Sequence, residues 1–449
     1  MSRPHDLVDA VAGLAPAAVL PERRAGAADR LRAPLRLVDA LPLGGARWSA
    51  LVADDAGAWL GVPLLRDGAG VRRAVAGDGV SAALLEAVDA AGGAVSAVSA
   101  VEGSGFSLHR LAAQEGDPPG RSERALAVDQ THDSVVVGDT VVVKWSVHLS
   151  LGAERPPAVR LLRHLAEVGF AGMPAPVGWV DWRSPEDPGT GALVAVLTAF
   201  LPGARDGWDW YVDDLLDHLA GGRTLAAAVE PATVLGSLVG ALHRALATPS
   251  GSEPTPVGAA TQADAGRWHR RALATLEEAF VLNPGMEGER LRARAESARA
   301  ALAPLAGVAP TPVTLVHGDL HVGQVLRHDG GYAVTDFDGN PVLPPSERSL
   351  PQPPARDVAG MLRSLDHVGR VANRRTAGRQ VGPVDEWIAA TRTAFLAAYD
   401  GPLLDERLLR PFEVEQECRE LVYAARHLPR WRYVPDAALA ALLPLPGGC

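Results

Sequence analysis

His317-Gly318-Asp319-Leu320-His321-Val322-Gly323-Gln324 and Asp336-Phe337-Asp338-Gly339-Asn340-Pro341 are the two stretches on which the reading of this chain turns. Each follows a short apolar run, at 314–316 and 332–335, so each polar cluster is delivered from the end of a predicted strand. Asp319 is followed five residues later by the amide of Gln324, and the next strand brings Asp336. Phosphoryl transfer needs this arrangement. One carboxylate orients an acceptor hydroxyl and accepts its proton, while an amide and a second carboxylate hold magnesium on nucleotide phosphates. The spacing matches H-R-D-L-x-x-x-N at His, Asp and Leu, with Gln324 in place of Asn. A metal-hydrolase reading of His317, Asp319 and His321 needs further ligands at metal spacing, and none is evident.

Upstream, Lys144 stands out because it is the sole lysine among 43 basic residues. Arginine is a planar fork and lysine a compact point charge, so a lysine kept in an arginine-rich chain marks a place where an ammonium must fit between particular oxygens. Its strand, Val-Val-Val-Lys-Trp, suits a residue aimed at the α- and β-phosphates of ATP.

Strands are expected at 106–111, 126–129, 134–137, 140–145 and 193–200, with a helix at 158–168 and a hairpin turn at Gly138–Asp139. Ahead of them, 47–65 reads as a hairpin and 81–91 as a helix. After Pro202–Gly203 the pattern turns helical, at 210–219, 233–247, 265–280, 288–303, 384–399 and 406–426. Proline-rich stretches at 248–262 and 341–354 read as loops. The expected architecture is α+β and bilobal. A β-rich cap covers residues 1–100, a β-rich lobe for the nucleotide phosphates 101–201 with a hinge at its end, and a helical lobe with the catalytic loop and acceptor site 202–449.

Of 449 residues 47% are hydrophobic and 21% charged, enough to build cores and too ordered a composition for a disordered chain. The net charge, 43 − 53 = −10, argues against nonspecific nucleic-acid binding, which needs clustered cations. Two cysteines make no disulfide framework, no signal-like run follows the start, and the best uninterrupted apolar run, 192–201, is strand length. A cytosolic protein without a membrane partner is expected.

The motifs H-G-D-L-H-x-G-Q-V-L, D-F-D-G-N-P, R-D-V-A-G-M-L-R-S from Arg356 and V-Y-A-A-R from Val422 resemble those of actinobacterial maltokinases. The resemblance covers nearly the whole chain, and it implies the bilobal fold of aminoglycoside phosphotransferases and protein kinases, with an N-terminal cap. It also implies Asp319 as catalytic base, Gln324 and Asp336 as ligands of Mg2+, and Lys144 as the phosphate-binding lysine. Asp357 resembles an aspartate that braces the catalytic loop, although an N-cap would also suit it. Residues 130–134 stand where a glycine-rich phosphate loop would be, with backbone amides and the Ser134 hydroxyl as donors. The helix near Pro157 has Arg160 where a glutamate is expected, which leaves Glu154 as the partner of Lys144. The run through Thr198 and Phe200 reads as the hinge that meets adenine.

For the acceptor, carboxylates and a flat aromatic suit a sugar. Glu413, Glu417 and Glu420 share a helical face with Glu415 pointing away, Trp431 follows, and His321 and Asp338 flank the catalytic loop. Stacked like charges at Glu413 and Glu417 ask for a cation or hydroxyls between them. Gln416 replaces a lysine and Glu417 a small residue of the maltokinase pattern, so the chain looks more like the related glucosamine kinases. An ATP- and Mg2+-dependent, monomeric kinase acting on glucosamine at its 6-hydroxyl is expected. Maltose, an aminoglycoside, or a pseudokinase scaffold are the alternatives. Trp208 and Trp210 read as helix-packing aromatics.

Overall fold

Four antiparallel strands in sequential order, Arg36–Gly44, Arg47–Ala53, Trp59–Asp67 and Gly70–Arg73, open the fold. The expected hairpin is its centre, with Arg47 opposite Leu65 and Ala53 opposite Trp59. The helix expected at 81–91 is Val80–Ala90. The helix Pro4–Ala12 and the first strand were not expected from the sequence. This computed structural model describes residues 4–21, 31–92, 97–100, 103–111, 122–126, 133–152, 156–340, 342–343 and 345–445.

The chain divides into two compact units, Met1–Ala166 with Pro174–Pro202, and Glu167–Met173 with Gly203–Cys449. The first unit also holds a seven-stranded antiparallel sheet. Its spatial order is Ala97–Ala100, Phe106–Arg110, Pro176–Arg183, Gly191–Ala199, Val141–Trp145, Asp133–Val137 and Glu123–Ala125. Gly138 and Asp139, both left-handed at φ 58° and 53°, make the tight turn that joins Asp133–Val137 to Val141–Trp145. Alternation puts Val135, Val137, Val141, Val143, Trp145 and Leu197 into the core with Leu84, Leu85 and Val88 of the helix. Ser134, Val142, Lys144, Val196 and Thr198 therefore share the opposite face.

Two expectations fail here. The strand foreseen at 126–129 is Glu123–Ala125, with 127–129 outside the described residues, and Pro176–Arg183 went unseen. The latter carries Gly178, where a side-chain carbon would lie 2.2 Å from the His109 carbonyl, so a residue that reads as a breaker is what the close strand approach requires.

The second unit is mainly helical. Its long central helix Ala355–Arg375 is buried over most of its length, and Val381–Ala398 and Leu409–His427 pack beside it. Thr224 caps Leu225–Leu246, which starts well before the expected 233 and runs through Pro231. Among the described residues this is the one helix long and apolar enough to cross a membrane. Its Ala228, Ala232, Leu235, Val239, Leu242 and Leu246 are fully buried, and Gly236 fits against the Phe395 carbonyl. The single helix expected at 288–303 is two, Met286–Ala293 and Ala295–Leu302. The strand expected at 314–316 is Pro312–Val313, paired with Gly258–Ala259 from the proline-rich connector. Val325–His328 and Gly331–Val334 form a hairpin between the two polar clusters.

Candidate active site

The loop that carries Asp319 hangs from a buried carboxylate. Asp357 lies in the first turn of Ala355–Arg375, but it caps nothing there. Its Oδ2 accepts from the His317 amide at 2.7 Å and its Oδ1 from the Gly318 amide at 2.9 Å. His243 Nε2 stands 3.2 Å from Oδ2, and its Nδ1 is 2.7 Å from the Tyr399 hydroxyl. Burial alone would raise the Asp357 pKa; hydrogen bonds and the charge of His243 more than reverse this and hold it below the usual aspartate value. Ser364 accepts from the Val322 amide at 2.9 Å and so pins the far side of the loop to the same helix.

The second polar cluster is tied to the first. His317 Nε2 lies 2.9 Å from the Thr335 carbonyl, and the Thr335 amide donates to the Gln324 carbonyl at 2.9 Å. Asp336 follows with a left-handed φ of 66°, uncommon for a residue other than glycine. Gln324 and Asp336 offer hard oxygen donors, the set that magnesium prefers when phosphates and waters complete its shell, so the residues fit that ion. Among the described residues no three His, Cys, Asp or Glu side chains gather as a metal site. Asp338 is half-buried; Arg348, whose pKa burial lowers, feels both Asp338 and Asp319.

Around Asp319 the Leu409–His427 helix contributes a polar stripe. Arg419 Nη2 lies 3.4 Å from Asp319 Oδ1, Arg419 Nη1 donates to Gln416 at 3.0 Å, and Gln416 Nε2 donates to Glu420 at 3.0 Å. Tyr423, 46% exposed, lies in the field of both Glu420 and Asp319. His321 takes the Gly323 amide on Nδ1 at 3.1 Å, which leaves the ring proton to Nε2. Burial lowers its pKa, against the pull of Asp319 and Glu420, so the ring is a neutral donor. Trp208, Trp431 and His321 complete the wall: Trp208 is 5.6 Å from Trp431, edge to face, and 6.1 Å from His321. Gly207 and Gly323 make this approach possible, since a side-chain carbon would meet the Val322 carbonyl at 1.8 Å or the Trp208 indole at 2.5 Å.

The acidic face is not what the sequence suggested. Glu413 and Glu417 are buried and turned to the Ala355–Arg375 helix. Glu413 accepts from Arg363 at 3.2 Å and from Arg392 Nη2 at 3.0 Å. Both Glu417 oxygens lie within 3.0 Å of His367 Nε2. The cations between the stacked carboxylates are therefore protein side chains. Glu415 does point elsewhere, yet it too is buried, paired with Arg271 and Arg356. Of the carboxylates expected on this helix, Glu420 alone lies half-buried on the catalytic-loop side. Arg419, Tyr423 and Trp208 were missed; Gln416, Arg419, Glu420 and Tyr423 recur at i, i+3, i+4 and i+7, a signal that was available. Trp210 is wholly core.

In the first unit, Lys144 and Ser134 are directly opposed across paired strands, and Val196 flanks Lys144 on the other side. Ser134 is buried and Lys144 half-buried. Thr198 pairs with Val142 in the next row, and Phe200, half-buried, carries the Arg124 guanidinium 4.7 Å from its ring centre. Glu154 and residues 130–132 of the phosphate loop lie outside the described residues.

Residues 122–411 match the phosphotransferase enzyme family (APH), to which this chain belongs. It is 45% identical over 97% of both chains to a glucosamine kinase from Streptacidiphilus jiangxiensis. A glucosamine kinase from Mycolicibacterium smegmatis is 43% identical over 90% of this chain and 98% of its own. Among solved structures, a glucosamine kinase in complex with glucosamine, ADP and inorganic phosphate is 42% identical, with a TM-score of 0.76 over 97% of this chain and 99% of that one.

Proposed function

We infer that this protein is a glucosamine kinase that transfers the γ-phosphoryl group of ATP to the sugar's 6-hydroxyl. The observation that carries the reading is its end-to-end similarity, at 42% identity, to a kinase solved with glucosamine and ADP. The acceptor oxygen attacks the γ-phosphorus, the bond to the β,γ-bridging oxygen breaks, and ADP leaves. Asp319 orients the hydroxyl and takes its proton, and Arg419 beside it keeps the carboxylate in place. Neutral His321 donates from Nε2 to a sugar oxygen. Glu420 receives the C2 ammonium, and Trp208 and Trp431 cover the ring's C–H face. Gln324 and Asp336 would hold magnesium, which neutralises phosphate charge when bound. Lys144 and Ser134 take phosphate oxygens, with Thr198 and Phe200 near the base. The reading takes the enzyme as a monomer, and the composition supports action in the cytosol on a free sugar.

Glu413 and Glu417 drop out as sugar ligands because their oxygens are already bound. The test is ATP consumption with glucosamine, N-acetylglucosamine, glucose, maltose and aminoglycosides. Glucosamine should be used well, glucose poorly and N-acetylglucosamine hardly at all, since acetylation removes the charge and adds bulk. Asp319→Asn should lower turnover by about 10²–10⁴ while ATP affinity stays near normal. A preference for maltose overturns the acceptor assignment, and near-normal turnover in the variant overturns that of the base.

A further inference from the structure

Behind the two tryptophans sits a pair of ionisable groups that the transfer step does not use. His367, on Ala355–Arg375, is 3% exposed, and its Nε2 lies 2.9 and 3.0 Å from the oxygens of wholly buried Glu417. Its ring is nearly parallel to Trp208, at 14° and 6.5 Å, and edge-on to Trp431, at 88° and 6.4 Å. Trp208 and Trp431 meet each other at 82°. One imidazole therefore touches both faces of the corner that the tryptophans make.

An ion pair is an expensive way to fill such a space, because apolar side chains of similar volume pack there at least as well. What it adds is direction. A ring held by two carboxylate oxygens has one orientation, whereas a leucine or methionine would leave the indoles to settle among several. We propose that His367 and Glu417 form a positioning pair that fixes the angle between Trp208 and Trp431, and with it the seat of the sugar ring. This rests on reading the two tryptophans as the acceptor wall of a glucosamine kinase.

The charges around the pair support a protonated ring. Glu417 faces it from the Leu409–His427 helix, Glu420 lies further along the same helix, and Asp366 is its neighbour in sequence. Arg363 opposes them, 3.7 Å from Glu417 and 3.8 Å from Asp366, and Arg370 binds Asp366 at 3.0 Å. His321 stands beyond Trp208. Burial disfavours the His367 cation, but Glu417, with Glu420 and Asp366, outweighs it and raises the pKa above that of ordinary histidine. Burial also raises the Glu417 pKa, against the pull of His367 and Arg363, so the two buried groups hold the proton between them more firmly than a free imidazole would.

Two variants of the full-length enzyme test this, each assayed with glucosamine and with ATP as the varied substrate from pH 6 to 8. Glu417→Gln keeps the shape and a hydrogen-bond acceptor but removes the charge that holds the proton. Its KM for glucosamine should rise about tenfold, the scale of one lost charge-assisted contact. The KM for ATP should stay put. The pH profile of the glucosamine KM should move to lower pH than in wild type, because burial lowers the imidazole pKa once the Glu417 charge is gone. His367→Gln leaves Glu417 with a donor but takes away the ring, so it should raise the glucosamine KM with no inflection. If wild type phosphorylates glucosamine and both variants keep its KM and its pH profile, the positioning pair is wrong. If wild type leaves glucosamine untouched, the functional reading itself fails.

Discussion

Asp357→Asn exchanges one oxygen for an amide and should cost the enzyme both stability and turnover. The carboxylate is buried and serves three donors, the His317 amide at 2.7 Å, the Gly318 amide at 2.9 Å and His243 Nε2 at 3.2 Å. An asparagine has a single acceptor oxygen. Turned to keep His317 and His243, it sets its own N–H2 against the Gly318 amide; turned the other way, it abandons two donors. At least one buried N–H is orphaned, at about 1–3 kcal/mol, and the surviving bonds lose their charge assistance, so a total of roughly 2–4 kcal/mol is expected. A catalytic loop shifted by even about 1 Å loses on the order of 10² in rate. Denaturant melts and initial rates with saturating ATP measure the two effects separately. The pH dependence has a definite sign. A carboxylate depressed in the folded state contributes stability that is present above its unfolded pKa, about 3.9, and lost as pH falls through the folded value. The gap between wild type and variant should hold from pH 5 to 8 and close only in strong acid. Wild-type melting and turnover in Asp357→Asn would refute the claim that this side chain suspends the loop.

Lys144→Arg preserves charge on a half-buried strand position opposite Ser134, so the fold should persist while misplaced phosphates cut kcat/KM by about 10² or more; unchanged kinetics would make the lone lysine an accident. Glu420→Gln removes the proposed partner of the sugar ammonium, and the glucosamine KM should rise by about 10–100-fold, equivalent to roughly 1.5–3 kcal/mol, with the ATP KM unmoved. An equal rise in both constants would indicate damage to the loop rather than loss of a sugar contact.

Much of the fold could be read from the chain because its signals are local. Alternating valines around Gly138–Asp139 define a hairpin in themselves, and two polar clusters at the ends of apolar runs announce loops wherever the rest of the chain goes. The proline-rich connector hid a strand, and Pro231 hid the first eight residues of a helix, because punctuation residues are tolerated where caps and neighbours compensate. Trp208 was a harder case. Two residues apart on a helix, Trp208 and Trp210 point to nearly opposite sides, so both cannot be core, but only Gly207 and Gly323, far apart in sequence, reveal which of them meets the catalytic loop.

The acidic helix shows where local rules stop. Like charges at Glu413 and Glu417 do require positive charge nearby, and the sequence says so correctly. It does not say whose. Arg363 and His367 come from another helix some fifty residues earlier and Arg392 from a third, and no periodicity within Leu409–His427 contains them. At about 100° per residue, Glu420 stands at the seam between the stripe of Glu413 and Glu417 and that of Gln416, Arg419 and Tyr423. The first stripe is neutralised by the protein itself, and Gln416 gives Glu420 an amide rather than a cation. A ligand ammonium arriving beside Asp319 therefore has one carboxylate left to meet on this helix. On the proposed reading, selectivity for an aminosugar would rest on that single group, with the proposed positioning pair behind it shaping the wall.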